Sequence, residues 1–390
     1  MTDIVPTKAA GRDRLAAFLP KAGRDYAAKR NLDLPGNPHV SGLSPWLRHR
    51  LLTEAEVIRA TLEAHPHGAE KFLAEVWWRT YWKGWLELRP GIWDDYRQGL
   101  TAAGNRLAVE PGLAARAEAA MLGDTGIDGF DDWARELVAT GYMHNHARMW
   151  FASIWIFTLR LPWELGADFF LRHLIDGDPA SNTLGWRWVG GLHTPGKTYL
   201  ATADNIARNT EGRFRPEGLA ADAPVLPMRP HPAPRAAPVG DRLNLTAPSL
   251  LLVTEEDLSS EFLLDQGLRP SSVAVLSHVM GRSALPVAGR VHDFTSGAIA
   301  DALSRLNAAS APVYRPEATR AILDQAETDG LTRIVTPYAP TGPISDVLAD
   351  LEAMAALRGI AVDRILRPHD RDAWPHATHG FFRFREAVMP

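Results

Sequence analysis

The stretch Gly141–Trp188 reads GYMHNHARMWFASIWIFTLRLPWELGADFFLRHLIDGDPASNTLGWRW. Polar residues usually mark the edges of an apolar run. Here Asn145, Arg148, Asp176, Asp178 and Asn182 lie inside one, among Trp150, Trp155, Trp163, Trp186 and Trp188. A buried polar group needs a hydrogen-bond partner, and a buried charge needs an opposite charge or a ligand. A segment that joins these costs to large aromatic rings points to a site for a large aromatic cofactor rather than to plain core.

Outward from that stretch, the first half of the chain has helical periodicity. Residues 7–30 place Leu15, Phe18, Leu19 and Tyr26 near helical spacing. A polar Gly/Pro loop, NLDLPGNPHVSG, follows. LSPWLRHRLLTEAEVIRATLEAH is helical again, with Ser44 or Thr53 as N-cap. AEKFLAEVWWRTYWKGWLELRPGIW is a further helix, and most of its Trp residues are expected in the core. Residues 112–122 and 130–140 are alanine-rich helices. Strand-like alternation is absent before about residue 245, so residues 1–215 are expected to be all-α.

Residues 216–248 hold eight Pro and read as a semi-extended linker without a core of its own. From 249 to 390 the pattern changes. Short apolar runs at 249–254, 272–277, 290–294, 332–338 and 362–366 alternate with helical stretches near 258–265, 296–309, 317–328 and 343–358. This alternation predicts a parallel, Rossmann-like α/β sheet. The fold class is therefore α + α/β: an all-helical domain, a linker, then an α/β domain.

Composition sets the outer bounds. At 390 residues, 46% hydrophobic and 23% charged, the chain is an ordinary globular one with room for two domains. Cysteine is absent, which excludes disulfides, thiolate catalysis and cysteine-ligated zinc or iron–sulfur clusters. Residues 1–215 carry 26 Lys+Arg against 25 Asp+Glu, and residues 216–390 carry 16 against 21. Neither half has the strongly basic balance that marks many nucleic-acid binders. No apolar run reaches 18 residues and the N-terminus lacks a basic-then-apolar signal, so neither a membrane nor export is expected and the expected location is cytoplasmic.

Gly191–Thr198, GLHTPGKT, fits the phosphate-loop pattern GxxxxGK[ST] literally. That loop works between a strand and a helix, with backbone N–H groups around the phosphates. GWRWVG before it is not a buried strand, and Pro195 removes one donor, so a surface turn is the expected reading. His65/His67 and His376/His379 lack metal-ligand spacing.

Four blocks, in order, resemble the flavin-binding domain of the photolyase/cryptochrome family. Ser41-Gly-Leu43-Ser44-Pro45-Trp-Leu47 is similar to the phosphate-binding TSxLSPxL, with Val40 in place of Thr. Glu75-Val-Trp77-Trp78-Arg79-Thr-Tyr81-Trp82 is similar to ELxWRxFY. Thr140-Gly-Tyr-Met143-His144-Asn145-His146-Ala-Arg148-Met149 is similar to TGxMHNRxRM. Asp176-Gly-Asp178-Pro-Ala-Ser-Asn182-Thr183-Leu-Gly185-Trp186-Arg-Trp188 is similar to DGDxAxNNxGWQW. The resemblance covers about residues 12–214. It departs at His146 (family Arg), Thr183 (Asn) and Arg187 (Gln).

The resemblance implies FAD as cofactor. Ser41, Leu43 and Ser44 would hold its phosphates, Arg79 would lie along it, and Asn145 would face flavin N5. Arg148 and Asp176 would form a buried ion pair beside the ring. Asp178 and Asn182 would hydrogen-bond the ring edge or the ribityl and adenine parts. Glu75, Trp78, Asn145, Met149 and Trp188 would serve a flipped-out cyclobutane pyrimidine dimer, whose recognition needs aromatic walls and polar edge contacts. Trp163 and Trp186 match two members of the family's electron-carrying tryptophan chain. No Trp lies between Asp94 and Asp132, where the third usually falls, so Trp150 or Trp155 is a candidate reroute.

The implied activity is light-driven electron transfer from reduced FAD to a pyrimidine dimer in damaged DNA. The alternatives are a cryptochrome-like blue-light receptor acting on a signalling partner and a flavoprotein without light function. The domain order departs from the family, whose α/β domain comes first. LLLVTEEDLSSEFLL echoes that domain's opening strand and HGFFRFREAV its closing segment, so the expectation is a circular permutation with the linker as the new joint. Glu255 and Glu256 stand where the family has Phe-Arg, which argues against a second, antenna chromophore there.

Overall fold

A computed structural model describes residues 4–389. Among these residues twelve α-helices come first: α1 (Lys8–Phe18), α2 (Arg24–Lys29), α3 (Ser44–Arg48), α4 (Glu54–Ala64), α5 (Glu70–Glu87), α6 (Gly91–Val109), α7 (Pro111–Leu122), α8 (Phe130–Thr140), α9 (Asn145–Ser153), α10 (Trp163–His173), α11 (Pro179–Val189) and α12 (Ala203–Asn209). Local chemistry sets their ends. Thr53 closes a capping box on α4, its hydroxyl accepting from Glu56 N–H at 3.2 Å while the Glu56 carboxylate accepts from Thr53 N–H at 2.9 Å. Ser44 is instead the first residue of α3. Gly123 and Gly141 end α7 and α8 in the left-handed conformation that glycine adopts without strain.

No helix or strand forms between Thr210 and Ser249. The Pro-rich segment is not a free tether. It lays Leu226, Met228 and Ala237 on the helical core, and Arg235 N–H donates to Leu88 O at 2.9 Å.

The last third is a five-stranded, all-parallel sheet in the order β3-β2-β1-β4-β5, built from β1 (Leu250–Thr254), β2 (Ser272–Leu276), β3 (Val313–Tyr314), β4 (Arg333–Pro337) and β5 (Ala361–Ile365). Helices α13 (Glu261–Asp265), α14 (Gly289–Arg305), α15 (Thr319–Thr328) and α16 (Pro343–Leu357) connect the strands. The expected α + α/β architecture is what forms. One expected strand does not: 290–294 lies inside α14. Its buried residues are Val291, Phe294, Thr295, Ala298, Ile299, Ala302 and Leu303, the spacing of a helix face rather than the alternation of a strand. The edge strand Val313–Tyr314 is too short to leave a periodic signal.

Alternate residues of β1 face two cores, as a pleated strand requires. Leu250 and Leu252 pack with Ile322, Leu323 and Leu348. Leu251 and Val253 pack with Leu15, Phe18, Leu47, Phe72 and Val76, which belong to the first helices. The helical part and the sheet thus share a hydrophobic core.

Beside that core sits a buried ionic joint at the carboxyl end of β1. The Arg48 guanidinium makes two 2.7 Å bonds to the Glu256 carboxylate and donates to Gly177 O at 2.7 Å. His49 Nδ1 meets Glu255 O at 2.7 Å. Arg50 donates to Asp370 at 2.6 Å, and Arg367 to Asp257 at 2.6 Å. Glu255 accepts from Ser277 Oγ and His278 N–H. The acidic pair expected to disfavour a chromophore is therefore a socket for Arg48–His49. The crevice at the ends of β1 and β4, where the strand order reverses and ligands commonly bind in such sheets, borders it.

After β5 the chain leaves the sheet. Helices α17 (Pro368–Ala373) and α18 (Phe381–Val388) return to α5, where Ala373, Ala377, Phe381 and Phe384 join the helical core.

Candidate cofactor pocket

Three helices of the helical part are buried on most sides yet each leaves one stripe partly open. On α5 the stripe is Glu75, Trp78, Arg79 and Trp82. On α9 it is Asn145, Arg148 and Met149, with Asn145 exposed. On α11 it is Ser181, Asn182, Gly185 and Trp188. The spacings follow one helix face in each case. Most of the residues expected to hold a cofactor or its substrate lie on these stripes.

The α10–α11 turn ties the stripes together. Arg148 donates to both Asp176 oxygens, at 2.9 and 3.1 Å, and to Met143 O at 2.9 Å. Burial opposes ionisation of Asp176, but Arg148 and the Ser44 hydroxyl hold its pKa below the ordinary carboxylate range. Asp178 caps α11, accepting from Ser181 N–H at 2.8 Å. Its other oxygen lies 3.5 Å from Lys83 Nζ and 4.0 Å from both Arg48 Nε and Arg79 Nη1. Burial would raise its pKa, and Lys83, Arg48 and Arg79 together drive it well below the usual value. Asp178 thus has a full structural role beneath the helix, apart from the cofactor hydrogen bond that the resemblance implied. Asn182 Nδ2 donates to Ala167 O at 2.8 Å.

The phosphate-type loop is clamped from a residue that sequence reasoning missed. Arg14 donates to Ser41 O at 2.6 Å and Val40 O at 3.3 Å, and it packs against Gly42, whose φ of +65° suits glycine. The Ser41 hydroxyl accepts from Leu43 N–H at 3.4 Å, while the Leu43 side chain is core. His144 is a second omission. It caps α9 through Nδ1, and burial lowers its pKa to about 3, which keeps the ring neutral and able to accept. Lys83 and Arg48 are also missing from the sequence reading. Each looks like an ordinary surface cation until its partner, distant in sequence, is known.

Of the residues assigned to a dimer, Glu75 is ion-paired with Arg30. One face of the Trp78 indole is covered by Phe381, with ring centroids 3.8 Å apart and planes 11° apart. Trp188 leans on Tyr199 at 5.7 Å. Trp163 and Trp186, expected to carry electrons, are both buried. Trp186 lies against Gly166 so closely that a Cβ there would come 2.2 Å from its ring, and it meets Trp155 edge-on at 6.1 Å. Trp163 lies 5.7 Å from Tyr96, which in turn lies 5.1 Å from Trp93. Trp150 stacks on His146 and Trp133 instead, so of the two reroute candidates only Trp155 touches Trp186.

Two observations test whether these residues suit FAD. Arg79 Nη1 and Ser181 Oγ are buried without a hydrogen-bond partner, a cost that a ligand's oxygens would remove. A Cβ placed on Gly185, in mid-helix on the α11 stripe, would meet nothing within 4 Å. Mid-helix glycine costs about 0.5–1 kcal/mol against alanine, and close backbone approach by a ligand is one use for it. Unpartnered polar atoms of a cation and a hydroxyl, with room beside Gly185 and the Trp78 and Trp188 indoles on the neighbouring stripes, are residue types that suit a flavin dinucleotide.

Gly191–Thr198 follows helix α11 rather than a strand and forms a turn, with Lys197 exposed. Among the described residues no three His, Cys, Asp or Glu side chains could hold a metal ion. No helix among them is long and apolar enough to cross a membrane.

Comparison with known proteins finds relatives of the helical part. Residues 72–214 match the family described as the FAD binding domain of DNA photolyase. A deoxyribodipyrimidine photo-lyase of Streptomyces griseus is 36% identical over 190 residues, which is 47% of this chain and 39% of that one. One from Thermus thermophilus is 32% identical over 220 residues, covering 55% of this chain and 49% of that one. A bacterial class III photolyase from Agrobacterium tumefaciens is a structural neighbour at TM-score 0.44 and 28% identity, covering 53% of this chain and 45% of that one. The chain spans less than half the length of these relatives. Residues 72–214 are thus similar to the FAD-binding domain of photolyases, a domain of the kind that takes FAD as cofactor.

Proposed function

We propose that this protein is a member of the photolyase/cryptochrome family and a photolyase-like flavoenzyme that opens cyclobutane pyrimidine dimers in DNA by light-driven electron transfer. The observation that carries the reading is that α11 packs on both α5 and α9, that each of the three helices leaves one stripe partly open, and that Arg79 and Ser181 on two of these stripes carry unpartnered polar atoms. When bound, FAD would supply the photoexcited electron. Ser41, Ser44, Arg79 and Ser181 would hold its phosphates and hydroxyls. Arg148, fixed by Asp176, would keep a positive charge beside the ring, and Asn145 would offer its amide there. Glu75, Trp78, Met149 and Trp188 would bind the flipped-out dimer, with the indoles as walls and the carboxylate as an edge contact. Trp186, with Trp163 or Trp155 behind it, would relay electrons inward.

In this reading residues 1–215 form the flavin domain, 216–248 the linker and 249–390 an α/β part whose final helices brace α5. The family's two-domain arrangement would then be present in permuted order. A blue-light receptor without repair is the second reading, and one observation favours it: Glu75 is already paired with Arg30. The deciding experiment illuminates the reduced protein with an oligonucleotide carrying one thymine dimer and follows return of pyrimidine absorbance. Protein that holds FAD and photoreduces, yet leaves the dimer intact, would turn the assignment to the receptor.

A further inference from the structure

The segment between β2 and α14 leaves the sheet and lies along the end of α10. Ala288 N–H donates to Arg172 O at 2.9 Å, and the Arg282 guanidinium donates through Nη1 to Leu174 O at 3.0 Å. Arg282 closes a short 3-10 turn, Val279–Arg282, and is buried. Its Nε and Nη2 have no hydrogen-bond partner. Burial and the nearby Arg48 charge push its pKa down to about 10, so the group keeps its proton at neutral pH. A buried guanidinium that does not close on a carboxylate is costly. Its bond to a backbone carbonyl is where an explanation starts.

That carbonyl opens the turn from Leu174 to Asp178. Gly177 N–H also donates to Leu174 O, at 3.0 Å, and a Cβ on Gly177 would come 3.1 Å from Arg282 Nη1. The guanidinium therefore lies flush on the turn. Arg48, itself tied to Glu256, holds the later part through Gly177 O at 2.7 Å. Two guanidiniums thus grip one short turn. The turn carries much of the candidate cofactor site. Asp176 accepts from Arg148 on α9 and from the Ser44 hydroxyl, and Asp178 caps α11. A shift of the turn would move all three. Neither Arg48 nor Arg282 lies within residues 72–214, the part that matches FAD-binding domains.

We propose that Arg282 is a positioning residue for the cofactor: from the α/β part it fixes the Leu174–Asp178 turn and, through Asp176, the charge that Arg148 presents to the flavin. FAD affinity is then coupled to the seating of the sheet on the helices, although Arg282 need not touch the cofactor. The proposal rests on the FAD reading, and the experiment separates the two. Full-length, FAD-containing protein is serially diluted below its melting temperature, and the fluorescence of released flavin gives the dissociation constant. Arg282→Met and Arg282→Gln should each weaken FAD binding roughly 5- to 100-fold, with circular dichroism unchanged. Arg282→Gln keeps a polar head in the same space should the methionine variant fail to fold. Arg333→Met is the control. It breaks the pair with Asp363 at the amino end of β4. It should lower the melting midpoint while FAD affinity stays within about twofold of native.

Native affinity in the folded Arg282 variants would refute the positioning role and leave the FAD reading untouched. An equal loss in Arg333→Met would refute it too, because the effect would then be a general loosening of the sheet. Weakened binding confined to the Arg282 variants would establish it. Native protein that folds but holds no FAD would refute the reading, and the positioning role with it.

Discussion

The joint at β1 and the pocket at α11 are both buried and rich in charge, and they are built differently. At the joint, Arg48, Arg50 and Arg367 each meet a carboxylate at hydrogen-bond distance, and the partners lie more than 100 residues away. In the pocket only Arg148 is satisfied in that way. Arg79 comes no nearer than 4.0 Å to Asp178, and Ser181 Oγ has no partner. Both regions leave some buried polar atoms without a partner, Arg50 Nε and Asp370 Oδ1 at the joint and Arg79 Nη1 and Ser181 Oγ at the stripes; what differs is that the arginines of the joint close directly on carboxylates, which is architecture. The two regions touch through Arg48, which binds Glu256 on one side and Gly177 O on the other.

The comparison can be broken most forcefully at Arg48. Arg48→Ala leaves Glu256 buried and unpaired and should cost about 3–5 kcal/mol, read as a lowered midpoint in urea unfolding. Arg48→Ala with Glu256→Gln should recover part of that loss. A single variant that loses less than about 1 kcal/mol would show that the joint is not closed on itself.

Acid provides the next test. Asp257 is buried, which opposes ionisation, but Arg367 and Arg50 pull its pKa down to about 2 from an ordinary 3.8. A depressed carboxylate contributes stability that is complete above the unfolded pKa and lost as pH falls toward the folded one. About 2–3 kcal/mol should therefore disappear between pH ~4 and ~2. Asp257→Asn should flatten that part of the stability profile. An unchanged profile would mean that the pairing is not felt in solution.

The smallest effects concern Gly185. Gly185→Ala adds a methyl into open space and removes a helix-interior glycine, so the protein without FAD should gain about 0.5–1 kcal/mol. Gly185→Leu should instead reduce FAD affinity at least tenfold, or ~1.4 kcal/mol, with the fold intact by circular dichroism. Full FAD occupancy in the leucine variant would show that the space belongs to something else.

How much of this was legible in the sequence follows the same division. Helices with a strong apolar period, and the strands β1, β2, β4 and β5, could be read locally because burial writes itself into spacing. Val291 and Phe294 misled because short apolar runs do not separate a buried helix turn from a strand. The open stripes could be read by resemblance, since Glu75, Trp78, Asn145 and Arg148 fall in recognisable blocks. What could not be read was the closed circuitry. Arg14, Arg48 and Lys83 acquire meaning only from Ser41, Glu256 and Asp178, and pairings across such distances carry no local pattern. Asp178 shows the limit from the other side: its position in a motif suggested a ligand contact, and its surroundings give it a helix to cap and three cations to neutralise.

The core shared by β1 and the first helices bears on how the chain is made. Leu15, Phe18 and Phe72 finish their packing against Leu251, Val253 and Val335, residues that leave the ribosome much later. At about 5–20 residues per second, the N-terminal helices wait on the order of ten seconds or more for those partners. During that interval their apolar faces are open to other chains. A product released before β4 is synthesised should therefore be prone to aggregate, even though it contains every residue of the candidate cofactor site. Helper proteins that shield nascent chains should matter more for this molecule than for one whose helical half closes its core alone.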